Sequence, residues 1–352
     1  MGLTYTRYKR MIDQLTGRRL ITARRLEDGS EVYSIHRLLQ EKILADMSHS
    51  EFVDAYQQVF EMVRSKYPHS SKTQIPAPEN WDVCGRYMPH VFSLYEIYKD
   101  SGRVKETVEL AELFYDAGFH VWERDTTTYD GVGFLTSALK ILDDLKVDRY
   151  SKLRADIHSI MGEFYCGRGA KWRDESVAEH RQALEIRQKA YDSNPEDKDV
   201  DMLLRNAMND LACCHLTQNK FEEASIAFKI CFEQYKQWGT EDEIPFEYQK
   251  YYCNYGHVET WRGNYKEGIA LFRRSTELSS KHSTKTWHYC MNNFFLGCSL
   301  LQSGDLQSAL DTHIETFNLR ADLFGKHEAA TIISSYAVGA TYHELGDPHS
   351  AL

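Results

Sequence analysis

Three stretches decide the fold: LACCHLTQNKFEEASIAFKICFEQY (residues 211–235), YGHVETWRGNYKEGIALFRRSTELS (255–279) and LGCSLLQSGDLQSALDTHIETFNLR (296–320). Each begins with a small residue inside an apolar run (Ala212, Gly256, Gly297) and continues to a second small residue (Ala224, Gly268, Ala309). Phe228 and Phe272 then stand at one common offset, and VGATYHELGDPHSAL (338–352) opens a further unit at Gly339. An earlier unit is anchored at Gly162. A fixed recurrence of about 42 residues signals stacked helical hairpins rather than a closed globular core. The pattern has a physical reason. Small residues let two helices approach closely, and the large ones fill the seam between them. Glycines such as Gly263 and Gly304 end the first helix of each hairpin by adopting positive φ.

Working outward, hairpins are expected from residue 86 onward, with 86–98 paired to 104–117 and 127–145 paired to 152–166. The run YPHSSKTQIPAPEN (67–80) carries prolines and small polar residues and reads as a loop. Residues 5–15 make a helix with a basic face. The runs 19–25 and 31–35 are short strands around the turn at 27–30, and a helix follows from 36 to about 47. The expected organisation is a partial winged-helix-like unit at 1–47, a connecting helix and loop at 48–85, and a solenoid at 86–352.

Of 352 residues, 42% are hydrophobic, which is ample for a packed interior, and only seven are proline. The net charge of −10 argues against nucleic acid as the main partner. The basic run Arg7, Lys9, Arg10, Arg18, Arg19, Arg24 and Arg25 is the exception, and it could serve phosphate or an internal interface. The eight cysteines form no CxxC pair, so zinc-ribbon spacing is absent. There is no signal peptide and no apolar run long enough to span a bilayer. A reducing cytoplasm is the expected setting, with no membrane partner.

The hairpin spacing resembles the tetratricopeptide repeat, in the longer form found in kinesin light chains. The linker Leu319-Arg320…Leu323-Phe324-Gly325-Lys326-His327 resembles that subclass too. Tyr33-Ser34-Ile35-His36-Arg37-Leu38-Leu39-Gln40 resembles the end of the winged helix in NB-ARC ATPases. It looks closer still to fungal NLR-like proteins, in which a winged helix leads into tetratricopeptide repeats. Trp81…Cys84…Tyr87-Met88-Pro89-His90-Val91 is similar to the first repeat of that family. The resemblance implies an all-α tetratricopeptide-repeat solenoid preceded by a partial winged helix with a short β-hairpin. It also implies that His36 could touch a nucleotide phosphate, although Arg37 stands where an Asp is expected. No GxxxxGK[ST] loop occurs, so no nucleotide hydrolysis is inferred. The ordinary reading of His36 is a residue at a helix N-terminus.

No recognised catalytic motif is present. His343-Glu344-Leu345-Gly346-Asp347 and His327-Glu328-Ala329-Ala330-Thr331 each lack the second His of a zincin, and GxSxG and GxGxxG are absent. No metal and no cofactor is expected. The resemblance does assign residues to the concave groove: Asn209, Cys213, Asn254, His257, Trp261, Phe294 and Tyr336. Asn209 and Asn254 offer both donor and acceptor to a peptide backbone. Trp261, Phe294 and Tyr336 offer aromatic anchoring surface. The first functional expectation is therefore an interaction scaffold that binds a peptide or protein in the groove, derived from a sensor that lacks its ATPase. The alternative is a recruited small-molecule enzyme of acid/base cyclase, isomerase or lyase type. Its candidates are His257, His343, Glu163, Glu344 and Tyr336, and a deep pocket with converging titratable groups would favour it. The unit begun at Gly339 has no capping helix after it, which suggests self-association there.

Overall fold

The computed structural model describes residues 5–25, 29, 31–71, 74–124, 128–283 and 286–351. The chain is an all-α tetratricopeptide-repeat solenoid preceded by a helix and a two-stranded hairpin. It divides into two compact units. One holds the residues up to Met62 together with Ile97–Lys105, and the other holds Val63–Glu96 and everything from Glu106.

In the first unit, α1 (Tyr5–Gly17) is followed by β1 (Ile21–Arg25) and β2 (Glu31–Ile35), then α2 (Arg37–Asp46) and α3 (His49–Arg64). The strands pair antiparallel, with Ile21 opposite Ile35 and Ala23 opposite Tyr33. Of the expected turn at 27–30, only Gly29 is among the described residues. His36 is the N-cap of α2, its Nδ1 accepting from the Leu38 backbone N–H at 3.3 Å. None of the residues of α2 is buried, and Leu38 is 69% exposed. Lys9, Arg10, Arg18, Arg19, Arg24 and Arg25 are exposed, while the side chain of Arg7 lies outside the described residues.

The second unit continues through α4 (Trp81–Ser101), α5 (Val108–Glu123), α6 (Gly131–Asp144), α7 (Lys152–Gly167), α8 (Arg173–Ser193) and α9 (Lys198–Thr217). It then runs through α10 (Phe221–Trp238), α11 (Pro245–Trp261), α12 (Tyr265–His282), α13 (Trp287–Ser303), α14 (Leu306–Leu323) and α15 (Ala329–Glu344). The hairpins are α5/α6, α7/α8, α9/α10, α11/α12 and α13/α14. The expected pairs 86–98 with 104–117 and 127–145 with 152–166 therefore start one helix too early. The cause is Gly118: a Cβ there would lie 2.8 Å from Leu135, so the bare backbone of α5 faces α6. The same device recurs downstream. A Cβ on Gly256 would stand 3.2 Å from Phe272, and one on Gly297 would stand 2.6 Å from His313. Ala212 packs with Phe228 in one buried cluster. Where the first helix of a hairpin ends, Gly169, Asn219, Gly263, Gly304 and Gly346 all have positive φ. Asparagine is the non-glycine residue that best tolerates that region.

The 67–80 segment is fixed at several points. Asp116 on α5 holds Arg64 at 2.7 Å and accepts from the Ser70 backbone N–H at 2.9 Å, and Glu123 accepts from the Ala77 N–H at 2.6 Å. Gln74 adopts φ +59 and reaches inward. Its amide nitrogen donates to Tyr115 Oη (3.3 Å) and to the Asp156 carbonyl (3.2 Å), and its oxygen accepts from Arg187 at 2.9 Å. Arg187 also pairs with Asp156 at 3.2 Å and donates to the Leu203 carbonyl, and both side chains are buried. Nothing in the sequence alone marks this inward-turned residue within a polar loop.

Candidate functional site

The second unit curls until its beginning meets its fifth hairpin. Trp81, at the start of α4, packs with Cys290 of α13 and Phe324 just past α14, the two rings lying 6.3 Å apart. Trp122 near the end of α5 stands edge-on to His288 of α13 at 6.3 Å. The concave face is consequently a cavity of about 840 Å³, walled by α5, α7, α9, α11 and α13 and floored in part by Gln74. This volume falls in the range of roughly 300–1,000 Å³ that encloses a drug-sized ligand.

Most of the expected groove residues meet here. Asn209, Cys213, Asn254, His257, Trp261 and Glu163 all line the cavity. Phe294 does not; it packs beside His313 and beneath the Arg320 guanidinium. Tyr336, His343 and Glu344 lie on α15 away from the cavity, and Tyr336 is 78% exposed. The expected residues on α7, α9 and α11 face the cavity, whereas those on α15 lie outside it.

Polar groups bridge adjacent helices in rungs. Lys250 Nζ donates to Asn206 Oδ1 at 2.6 Å, and Asn254 Nδ2 donates to Asn209 Oδ1 at 2.9 Å, both linking α11 to α9. Asn292 Nδ2 donates to Gln249 Oε1 at 2.7 Å, linking α13 to α11. Each amide retains hydrogen-bonding capacity beyond its rung. Phe246, Trp122, Trp287 and His288 supply an aromatic wall. Trp261 is stacked on Phe221 with ring centroids 5.3 Å apart, and it stays 63% exposed. His257 is wedged edge-on against Phe295 (4.0 Å) and Phe272 (5.1 Å), and burial pushes its pKa down to about 4. At neutral pH it is a neutral ring in an aromatic cluster, a poor proton carrier for the alternative reading.

A second group joins Glu163, expected from the sequence, to His180 and Asp210, which were not. Glu163, His180 and Asp210, from α7, α8 and α9, bring one ligating atom each to within 4.8 Å of one another. His180 is 1% exposed, and its Nε2 lies 3.6 Å from Glu163 Oε1. Burial, helped by the charge of Asp210, pushes the Glu163 carboxyl up to about 8. Burial also holds His180 below its ordinary value. His180 fills the seam beside Gly162 as Phe272 fills it beside Gly256. A slightly longer turn before α8 shifts its offset, which hid it from the repeat pattern.

No protein-family model matches the chain, and no curated protein matches it. Solved structures do. The chain is similar to NprR in complex with its cognate peptide NprX, at 11% identity and a TM-score of 0.60, covering 89% of this chain and 78% of that one. It is similar to a Rap protein complexed with competence and sporulation factor, at 14% identity and a TM-score of 0.44, covering 89% and 85%. It is also similar to a Podosopora anserina putative kinesin light chain with nearly identical TPR-like repeats, at 14% identity and a TM-score of 0.42, covering 58% and 92%. The NprR likeness shows the fold. Among the described residues, no helix is long and apolar enough to cross a membrane.

Proposed function

We propose that this chain is an interaction protein that takes a short peptide segment into the cavity on the concave side of its curled repeats. The observation that carries this reading is the set of amide rungs across α9, α11 and α13 beside an aromatic wall. Side-chain amides spaced along adjacent helices offer donors and acceptors to a peptide main chain, and the rings offer pockets for its side chains. The structural neighbour NprR, which holds its cognate peptide, is in keeping with such a ligand. The test is retention of short peptides from a degenerate library by the full chain, read by mass spectrometry. Peptides should be recovered, and Asn254→Ala and Asn209→Ala should weaken them on the order of tenfold or more, as expected for loss of a buried hydrogen bond. Failure to retain any peptide, or equal retention by both variants, defeats the reading.

A second reading, a small-molecule acid/base enzyme, is supported by the convergence of Glu163, His180 and Asp210 on the wall of the cavity. It predicts turnover of a metabolite in a complex extract that disappears in Asp210→Asn; an unchanged extract counts against it. Three further elements are proposed here. Derivation from an NLR-like sensor rests on the helix–hairpin–helix order and the His36 motif. A cytoplasmic setting rests on eight free, mostly buried thiols. Self-association through α15 rests on exposed Ile332, Ile333 and Tyr336, and light scattering of Tyr336→Glu against the parent would test it by a fall in mass.

A further inference from the structure

We propose that Glu163, His180 and Asp210 form a binding site for a divalent transition-metal ion of the zinc type, with one coordination position open to the cavity. The site is distinct from the amide rungs and does not depend on the peptide reading. Three N/O ligands about 2.0–2.2 Å from a tetrahedral ion stand roughly 3.3–3.5 Å apart. Here the imidazole Nε2 and Glu163 Oε1 are 3.6 Å apart, and all three ligating atoms lie within 4.8 Å. Closing the set needs a shift of about 1 Å or so, within the reach of carboxylate side-chain torsions. The donors sit on α7, α8 and α9, so hairpin packing fixes their backbones.

Independent features point to a ligand here. His180 is almost completely buried, yet its Nδ1 has no hydrogen-bond partner, and its Nε2 faces Glu163 from beyond hydrogen-bond reach. A buried imidazole left in this way is costly. With the proton on Nδ1, the Nε2 lone pair is aimed at the two carboxyl groups, which is the neutral form that ligates metals. Gly162 makes this orientation possible, because a Cβ there would come within 2.6 Å of Nε2. Two carboxyl groups also share the spot, and among the described residues no Lys or Arg forms a salt bridge with either. One imidazole among the donors favours zinc-like ions over Mg²⁺ or Ca²⁺, which prefer all-oxygen shells.

The test is calorimetric titration of the metal-free full chain with Zn²⁺, and with Co²⁺ read by its visible absorption. One ion per chain is expected, with the Co²⁺ spectrum of a tetrahedral N/O site and no comparable uptake of Mg²⁺. Glu163→Gln and Asp210→Asn should weaken Zn²⁺ by on the order of 100-fold or more, since loss of even an outer-shell partner costs 10–100-fold. His180→Phe guards against misfolding, because Phe occupies the same seam position in two other hairpins; it should keep native far-UV circular dichroism and lose the ion. The proposal is overturned if no stoichiometric Zn²⁺ binds, if Mg²⁺ binds equally well, or if folded His180→Phe retains the ion. Peptide retention is measured without metal, so failure of this site and failure of the peptide reading are separate results.

Discussion

Replacing His313 by Phe should make the solenoid less sensitive to acid. His313 occupies the same offset from Gly297 as Phe272 does from Gly256 and Phe228 from Ala212. It is 0% exposed, and neither ring nitrogen has a hydrogen-bond partner. Burial, with a smaller contribution from the Arg320 cation, pushes its pKa down to about 4 from 6.5. The folded state resists protonation, so its stability is complete above pH 6.5 and is lost as pH falls toward 4. For a group displaced by this much, the loss between pH 7 and pH 4 is roughly 3 kcal/mol, at about 1.4 kcal/mol per pH unit. Phe carries no proton, and Gly297 presents the same bare backbone that accommodates Phe272. The variant should therefore match or exceed the parent at pH 7, where an unpartnered buried polar ring is replaced by an apolar one. At pH 4 it should keep roughly 3 kcal/mol that the parent loses. Urea unfolding followed by circular dichroism at pH 7 and pH 4 measures both. If parent and variant lose the same stability to within ~0.5 kcal/mol, the account of this histidine is wrong.

Two other outcomes follow from the packing. Phe324→Ala should cost about 3–5 kcal/mol and release Trp81 and the α13 end, which limited proteolysis near residues 81 and 324 would detect. Arg187→Met should cost up to about 3 kcal/mol by removing the buried cation from Asp156, which keeps only the half-exposed Lys152, with Asp156→Leu in the same chain recovering much of it.

The repeat architecture was legible because it is written in local chemistry. A glycine or alanine where helices touch, a large ring opposite, and a left-handed residue at the turn recur with a fixed spacing. Once the spacing suggested the tetratricopeptide repeat, the resemblance assigned Asn209, Cys213, Asn254, His257 and Trp261 to the concave face, and all five line the cavity. What spacing does not encode is how far the array curls. That depends on contacts such as Trp81 on Phe324, between residues far apart in sequence, so Tyr336, His343 and Glu344 were expected in an enclosure that closes before reaching them. Gly118 was overlooked because no second repeat signal surrounds it. His180 was overlooked because its hairpin is out of step with the others. Gln74 had no periodic signal at all, being one inward-turned side chain in a polar segment.

The contact between Trp81 and Phe324 also bears on how such a chain can evolve. Linear repeat arrays ordinarily grow and shrink by duplicating or losing one unit, because each repeat touches only its neighbours. Joining an early helix to a late one removes that freedom. An added hairpin would carry the two rings out of register, and a lost one would collide the walls. The number of units between them is then held fixed by geometry, and diversification is confined to substitutions on the lining.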